Sequence, residues 1–267
     1  MPPPRRLAGV LVNRRIPLRT RADLLGVELR RRLRPLSDYR VRYRRASLYL
    51  SHDNYEIDWE TLKNTLVDEP YLAVYCGAVV LDIGAHKGYY GAYALAHGAH
   101  AVVSYEPEDA NAALLERNAV SVDPSGERWR VERAAVSATD GEAELHVMGA
   151  SWGHSLHPPD DWAEYETRVE RVRVQAMSDV LLQTASARPV GARLVVKINT
   201  EGEECATVLG TPAEAWEVVD ELLVETHPWA TCGANELAEH VAPAGLERIT
   251  SRHERMLQLL RESPRAG

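Results

Sequence analysis

Apolar positions in the first part of the chain follow helical spacing and then a loose alternation. Leu24, Leu25, Leu29 and Leu33, with Glu28 among them, recur at intervals that put them on one helix face. Thr20 with Asp23 three residues later has the spacing of a capping box, and Pro35 closes the run. The outer face of this helix is Arg30-Arg31-Arg32-Arg34. Tyr43 to Leu50 alternates as a strand does, and Ser51-His52-Asp53-Asn54 reads as a turn into Tyr55-Glu56-Ile57. Asp58 is placed to cap a helix from Trp59 to about Leu66. Together these elements predict a helical and β extension, or lid, over residues 1–70.

From Val79 the pattern changes to strands alternating with helices. Val80-Leu81-Asp82-Ile83 is a buried strand running into the turn Gly84-Ala85-His86-Lys87-Gly88, with a helix beginning at Tyr89. Ala101 to Tyr105 is a second strand ending at Glu106-Pro107, where Pro107 suits the first position of a helix over Glu108 to Ala119. Trp129 to Val136 and Glu142 to Val147 flank Asp140-Gly141, a hairpin signal, and Arg171 to Val174 alternates. Leu194-Val195-Val196-Lys197-Ile198 and Leu222-Leu223-Val224-Glu225 read as central parallel strands. Helical segments cover Pro212 to Val218 and Ala234 to Val241, and Leu246 to Thr250 with Met256 to Leu260 make a closing strand pair. The alternation predicts an α/β fold with a doubly wound sheet over residues 71–267 and no internal repeat.

In such a sheet the ligand lies beyond the carboxyl ends of the strands, near the switch point. Gly84 and Gly88 allow the chain to turn sharply against a ligand, and turn N–H groups at a helix start favour an anionic group. Glu106 stands 22 residues after Gly84, at the end of the next strand, where an acid accepts both hydroxyls of an adenosine ribose. A nicotinamide fingerprint needs a middle glycine where this chain has His86, and a P-loop needs Ser or Thr where Gly88 follows Lys87. Asp82 at the strand end suits an ammonium group, as on the amino-acid end of S-adenosylmethionine, or the turn's own amides.

These residues resemble the FkbM-type S-adenosylmethionine-dependent methyltransferases. The likeness rests on Val80 to Tyr90, on Tyr105-Glu106-Pro107 with Leu114 to Asn118, and on Ala135-Val136-Ser137 with Asp140 to Leu145. Lys197-Ile198-Asn199-Thr200-Glu201-Gly202-Glu203-Glu204 and Glu225-Thr226-His227 complete it, so that it spans about residues 45–250. The resemblance implies the seven-stranded Rossmann-like sheet of class I methyltransferases and O-methylation of a small molecule, a natural product or sugar. It puts Asp82, Gly84, Ala85, His86, Lys87, Gly88, Tyr89, Glu106, Pro107 and Ala135 on the cofactor. The family usually has Asp where this chain has Asn199, which cannot ionise and only hydrogen-bonds.

An alcohol acceptor gains from a base that takes its proton as the new bond forms. His227 beside Glu225 is the first candidate, with Glu201, Asn199 and His154 as further catalytic candidates. His154 lies in the polar loop Ser151-Trp152-Gly153-His154-Ser155. Glu201 and Glu225, with His227, are alternative ligands for a divalent cation such as Mg²⁺, against the plainer reading that Glu201 caps Gly202 and the following helix.

Charge adds one alternative. The net charge is −8, yet residues 1–45 hold 14 Arg against Asp23, Glu28 and Asp38. A basic arm can mark an RNA substrate; a surface docked on an acidic body is the preferred reading, and no aromatic-interleaved basic stretch appears. A non-catalytic S-adenosylmethionine-binding protein is a third reading, drawn from Asn199. The sequence has no signal-peptide apolar region behind Met1-Pro2-Pro3-Pro4-Arg5-Arg6 and no apolar run long enough to span a bilayer, which predicts a soluble cytoplasmic protein without a membrane partner. The amino-terminal helix is expected to form part of a lid or a homodimer contact. Cys76, Cys205 and Cys232 are few and widely spaced, suggesting neither a disulfide framework nor a zinc site. Phe is absent, while Tyr occurs 11 times.

Overall fold

The computed structural model describes residues 16–33, 39–68, 70–251 and 253–261. Its elements run α1 (Leu18–Leu33), β1 (Tyr39–Tyr43), β2 (Ala46–Leu50), α2 (Tyr55–Lys63), β3 (Val79–Ile83), α3 (Tyr89–Ala96), β4 (Ala101–Tyr105), α4 (Asp109–Val122) and β5 (Trp129–Glu132). They continue with β6 (Ala135–Ser137), β7 (Gly141–Met148), β8 (Glu166–Ala176), α5 (Met177–Ala187), β9 (Leu194–Ile198), α6 (Glu204–Leu209), β10 (Glu221–Glu225), α7 (Ala234–Val241), β11 (Leu246–Ile249) and β12 (Met256–Arg261).

The main sheet has seven strands in the order β11-β12-β10-β9-β3-β4-β5. The run from β10 to β5 is parallel, and β12 enters antiparallel between β10 and β11. This is the Rossmann-like α/β sheet expected of class I methyltransferases. The chain reverses its direction of winding between β3 and β9, so the switch point falls beside Gly84. Side chains alternate across the sheet. Val80, Val195 and Leu223 join one core with α3 and α4, while Leu81, Ile83, Val196 and Val224 join the other with α5 and α7.

Several local expectations are corrected. Tyr43 to Leu50 is not one strand, because the chain turns at Arg44, whose φ is +53°, and β1 pairs with β2 as a hairpin. Helix α2 begins at Tyr55, so Asp58 is no cap and lies inside the helix, fully buried. Helix α1 begins at Leu18, and Asp23 is engaged by Arg42 of β1 at 2.6 Å rather than closing a capping box. The Arg30-Arg31-Arg32-Arg34 face, and Pro35 behind it, lie outside the described side chains. Asp140-Gly141 closes no hairpin: its carboxylate accepts the Ala176 N–H at 2.8 Å, and β6 and β7 both pair with β8 in a three-stranded sheet.

The disulfide expectation also fails. Cys205 and Cys232 are joined, with Cα atoms 5.7 Å apart. Their 27-residue separation hid a contact made by the fold, since α6 and the segment after β10 both leave the same edge of the sheet. Among the described residues no helix is long and apolar enough to cross a membrane.

The extension does not stand apart from the sheet. Leu24, Val41, Leu48, Trp59 and Leu62 share one core with Tyr89, Leu115 and Trp129. Asn118 fastens β2 by accepting the Tyr49 N–H at 2.7 Å and by donating to the Lys87 carbonyl at 2.8 Å. Asp58 takes the Ser51 N–H at 2.6 Å and forms a buried ion pair with Lys87 of the glycine turn. Tyrosine suits this core better than phenylalanine, because its hydroxyls find partners: Tyr71 donates to Glu225, Tyr89 to the Tyr49 carbonyl and Tyr75 to the Tyr71 carbonyl. Removing one partner of a buried ion pair leaves an uncompensated charge. Asp58→Ala is therefore expected to lower unfolding free energy by about 3–5 kcal/mol in a urea titration, and a loss below about 1 kcal/mol would show the pair to be idle.

Candidate functional site

The Gly84–Gly88 turn leaves β3 under the end of β9. Gly84 has φ +73°, and a Cβ there would lie 1.8 Å from the Asn199 carbonyl oxygen, so no other residue fits. Gly88 has φ +82°, and its Cβ would meet Leu115 at 2.4 Å. The first three amides of the turn are already taken within the protein. Gly84 and Ala85 donate to the Tyr105 carbonyl at 3.1 and 2.9 Å, and His86 donates to Glu106 at 2.8 Å.

Asp82 and Lys197 are register partners on β3 and β9 and project from the same face. Their charges meet at 3.0 Å with both side chains buried, and Lys197 also donates to the Gly84 carbonyl at 2.7 Å. Asp82 thus reaches the turn through Lys197, which was not singled out as a site residue. The one signal for Lys197 was a charge inside an apolar strand.

Glu106 stands at the end of β4, beside the turn. It takes the N–H groups of His86 and Glu108, the latter at 3.1 Å. Burial pushes its pKa up to about 7, against the pull of those two amides. Pro107 follows it half-buried, and Ala135 opens β6 across a 30 Å³ cavity that Gly84, His154, Thr200 and Glu203 also line. Lys87, expected at the cofactor, is occupied: it donates to Ser151 Oγ at 2.9 Å besides pairing with Asp58. Burial pulls its ammonium below the usual lysine value, and Asp58 opposes the pull. His86 Nε2 lies 3.1 Å from the same Ser151 hydroxyl. Tyr89 is buried, with its hydroxyl on β2.

The catalytic candidates gather at the ends of β9 and β10. Asn199 donates to Glu225 at 3.0 Å and to the Tyr71 hydroxyl at 3.3 Å. An Asp at this position would set a second carboxylate against Glu225, whereas the Asn199 amide donates to it. His227 is buried between Glu204, 2.9 Å from Nδ1, and Glu201, 3.4 Å from Nε2. Burial works against its charge, but the two carboxylates prevail and hold its pKa up to about 10. Held protonated between the two carboxylates, His227 has no lone pair for a substrate proton. Glu204 also gathers the N–H groups of Thr200 and Gly202 at 2.9 and 3.0 Å, which shapes the turn that puts Glu201 at φ +53°. Burial raises the pKa of Glu201, with His227 opposing.

His154 is neutral. Burial pulls its pKa down to about 4, its Nδ1 accepts the Met148 N–H at 3.1 Å, and its other nitrogen is 4.0 Å from Glu108. Glu201 and Glu225 turn to different partners, and among the described residues no group of three acidic, His or Cys side chains converges as a metal site. The Mg²⁺ reading thus finds no support. Asp58, Ser151, Glu108 and Glu204, all missed from the sequence, carry contacts that depend on distant elements meeting.

No protein-family model matches the chain. A protein N-terminal and lysine N-methyltransferase of Emericella nidulans is 26% identical over 140 residues, 52% of this chain, and the chain spans about half (50%) of that relative's length. The methyltransferase FkbM of Methylobacillus flagellatus KT superposes on 79% of the chain and 55% of its own, with a TM-score of 0.46 and 14% identity. Magnesium protoporphyrin IX methyltransferase of Synechocystis PCC 6803, solved with bound SAH, superposes on 79% of this chain and 85% of its own, with a TM-score of 0.41 and 9% identity.

The His227 pKa sets a pH dependence. It lies above the unfolded value near 6.5, so its stabilisation is fully present below about pH 6.5 and is lost as pH rises through about 10. His227→Gln is expected to be less stable than the parent by a few kcal/mol at pH 6, on the order of the several-unit shift, with the gap closing toward pH 10. Denaturant unfolding across that range checks this; a gap independent of pH would remove the imidazolium from the account.

Proposed function

We propose that the protein is an S-adenosylmethionine-dependent methyltransferase acting on a hydroxyl of a small molecule. The observation that carries this is the glycine turn at the switch point, wedged under the Asn199 carbonyl with Glu106 at the neighbouring strand end. Four buried polar atoms at this edge, His86 Nδ1, Asn199 Oδ1, Glu201 Oε2 and Glu203 Oε2, have no hydrogen-bond partner among the described residues. A ligand rich in donors fits the three oxygens among them, as the cofactor's ammonium and hydroxyl groups do. Glu106 would hold the ribose hydroxyls, Asn199 Oδ1 the ammonium, and Pro107 with Ala135 the apolar flank of the adenine. When bound, the cofactor supplies a methyl group already activated on a sulfonium.

The chain's own work is then to position the acceptor and take its proton. We assign the proton to Glu201, which burial makes a stronger base than an ordinary carboxylate. His227 and Glu204 act by fixing Glu201 on its turn. His154, neutral at the cavity wall, orients the acceptor rather than titrating.

An amine acceptor is the second reading. It is favoured by the N-methyltransferase relative and by a 410 Å³ groove lined by Asp140, Glu142, Glu144 and Glu203, next to the cavity at Gly84. The same acidic lining speaks against RNA, whose phosphates would be repelled. Asn199 gives no reason to prefer a non-catalytic protein, since Glu225 accounts for it. A cytoplasmic setting requires the Cys205–Cys232 bond to be reversible there, because such surroundings keep thiols reduced.

Calorimetric titration is expected to show S-adenosylmethionine binding and no NAD binding. Glu106→Ala should weaken the former about tenfold or more, the worth of charge-assisted hydrogen bonds. Binding of neither ligand would refute the reading. A labelled-methyl assay on hydroxylated small molecules and on lysine peptides then separates the two acceptor classes.

A further inference from the structure

We propose that the Cys205–Cys232 disulfide is a redox latch on the side of the site formed by the ends of β9 and β10, and that a dithiol opens it. Cys205 follows Glu204 in α6, and Glu204 holds His227 Nδ1 at 2.9 Å together with the Thr200 and Gly202 amides. Cys232 closes the short segment that begins after β10 and carries His227 and Trp229. Trp229 packs at a tilt against His227 at 4.8 Å and against Trp162 at 4.7 Å between ring centres, and its indole N–H lies 3.4 Å from the Glu201 carbonyl. The covalent bond therefore ties together the two elements whose non-covalent meeting places Glu201 and His227.

The two sulfurs differ in access: Cys205 is buried and Cys232 half-exposed. A thiolate of the dithiol attacks Cys232 Sγ and forms a mixed disulfide, while the electron pair of the broken bond leaves on Cys205 Sγ, which takes a proton. The second thiol of the reagent then displaces Cys232, also released as a thiol, and the dithiol departs as a cyclic disulfide, having given two electrons. With the tie gone, Trp229 and His227 are held to the sheet by hydrogen bonds and ring contacts alone, and Glu201 loses a fixed neighbour. This device extends beyond the methyl-transfer reading and does not need it.

The test compares oxidised protein with protein reduced by dithiothreitol. Denatured oxidised protein should titrate one thiol, Cys76, and reduced protein all three. Amide hydrogen exchange over residues 226–233 should speed up about tenfold on reduction while β3 and β9 stay protected. The Cys205→Ser/Cys232→Ser variant should exchange at the reduced rate with or without dithiothreitol; should it fail to fold, reduced and alkylated wild-type protein replaces it. Three thiols in the oxidised protein, or unchanged exchange once both thiols are free, would overturn the latch. Either failure leaves cofactor binding untouched, and absence of cofactor binding leaves this measurement intact.

Discussion

The buried pair between Lys197 and Asp82 is the constraint from which the site follows. Two charges removed from water are stable only when they meet closely and their remaining hydrogen-bonding capacity is used. Here Lys197 spends its other donors on the carbonyls of Ile83 and Gly84, at 3.4 and 2.7 Å. The pair thereby joins two adjacent parallel strands and pins the start of the glycine turn. That pinning presses Gly84 against the Asn199 carbonyl, and Asn199 in turn faces Glu225 and Tyr71. One ion pair so connects the glycine turn with the ends of β9 and β10.

A second buried pair, Asp58 with Lys87, does the same for the extension. It makes the extension part of the turn's support rather than an appendage. Ser151 then brings the β7–β8 connection onto the same lysine and onto His86. The site is thus enclosed by three segments distant in sequence, each contributing a polar group to one loop. Farther along the edge, the carboxylates around His227 keep it charged, which is why we propose Glu201 rather than His227 as the proton acceptor.

The sheet was legible because its strands are nearly pure apolar runs with glycine, proline and acid punctuation; β4 and β9 fall where the pattern put them. The glycine turn and the strand-end position of Glu106 were equally legible, since both rest on backbone geometry. The β6–β8–β7 arrangement was not, because Asp140-Gly141 satisfies the local rule for a hairpin while a single contact with Ala176 overrides it. Asp58 read as a helix cap for the same reason: its partner Lys87 is 29 residues away, and only the folded chain brings them together. The Cys205–Cys232 bond and the charge on His227 belong to this class, set by meetings that no spacing announces. Asn199 stood out against the acid usual in the family the sequence resembles, and the structure sets Glu225 beside its amide.

The central claim is that Lys197, through Asp82 and Gly84, sets the turn that receives the cofactor. Calorimetric titration of S-adenosylmethionine into folded Lys197→Met protein tests it most directly. The account predicts affinity at least about tenfold weaker than the parent's, the scale of losing a charge-assisted contact at a binding loop. Parent-like affinity in the folded variant would contradict it.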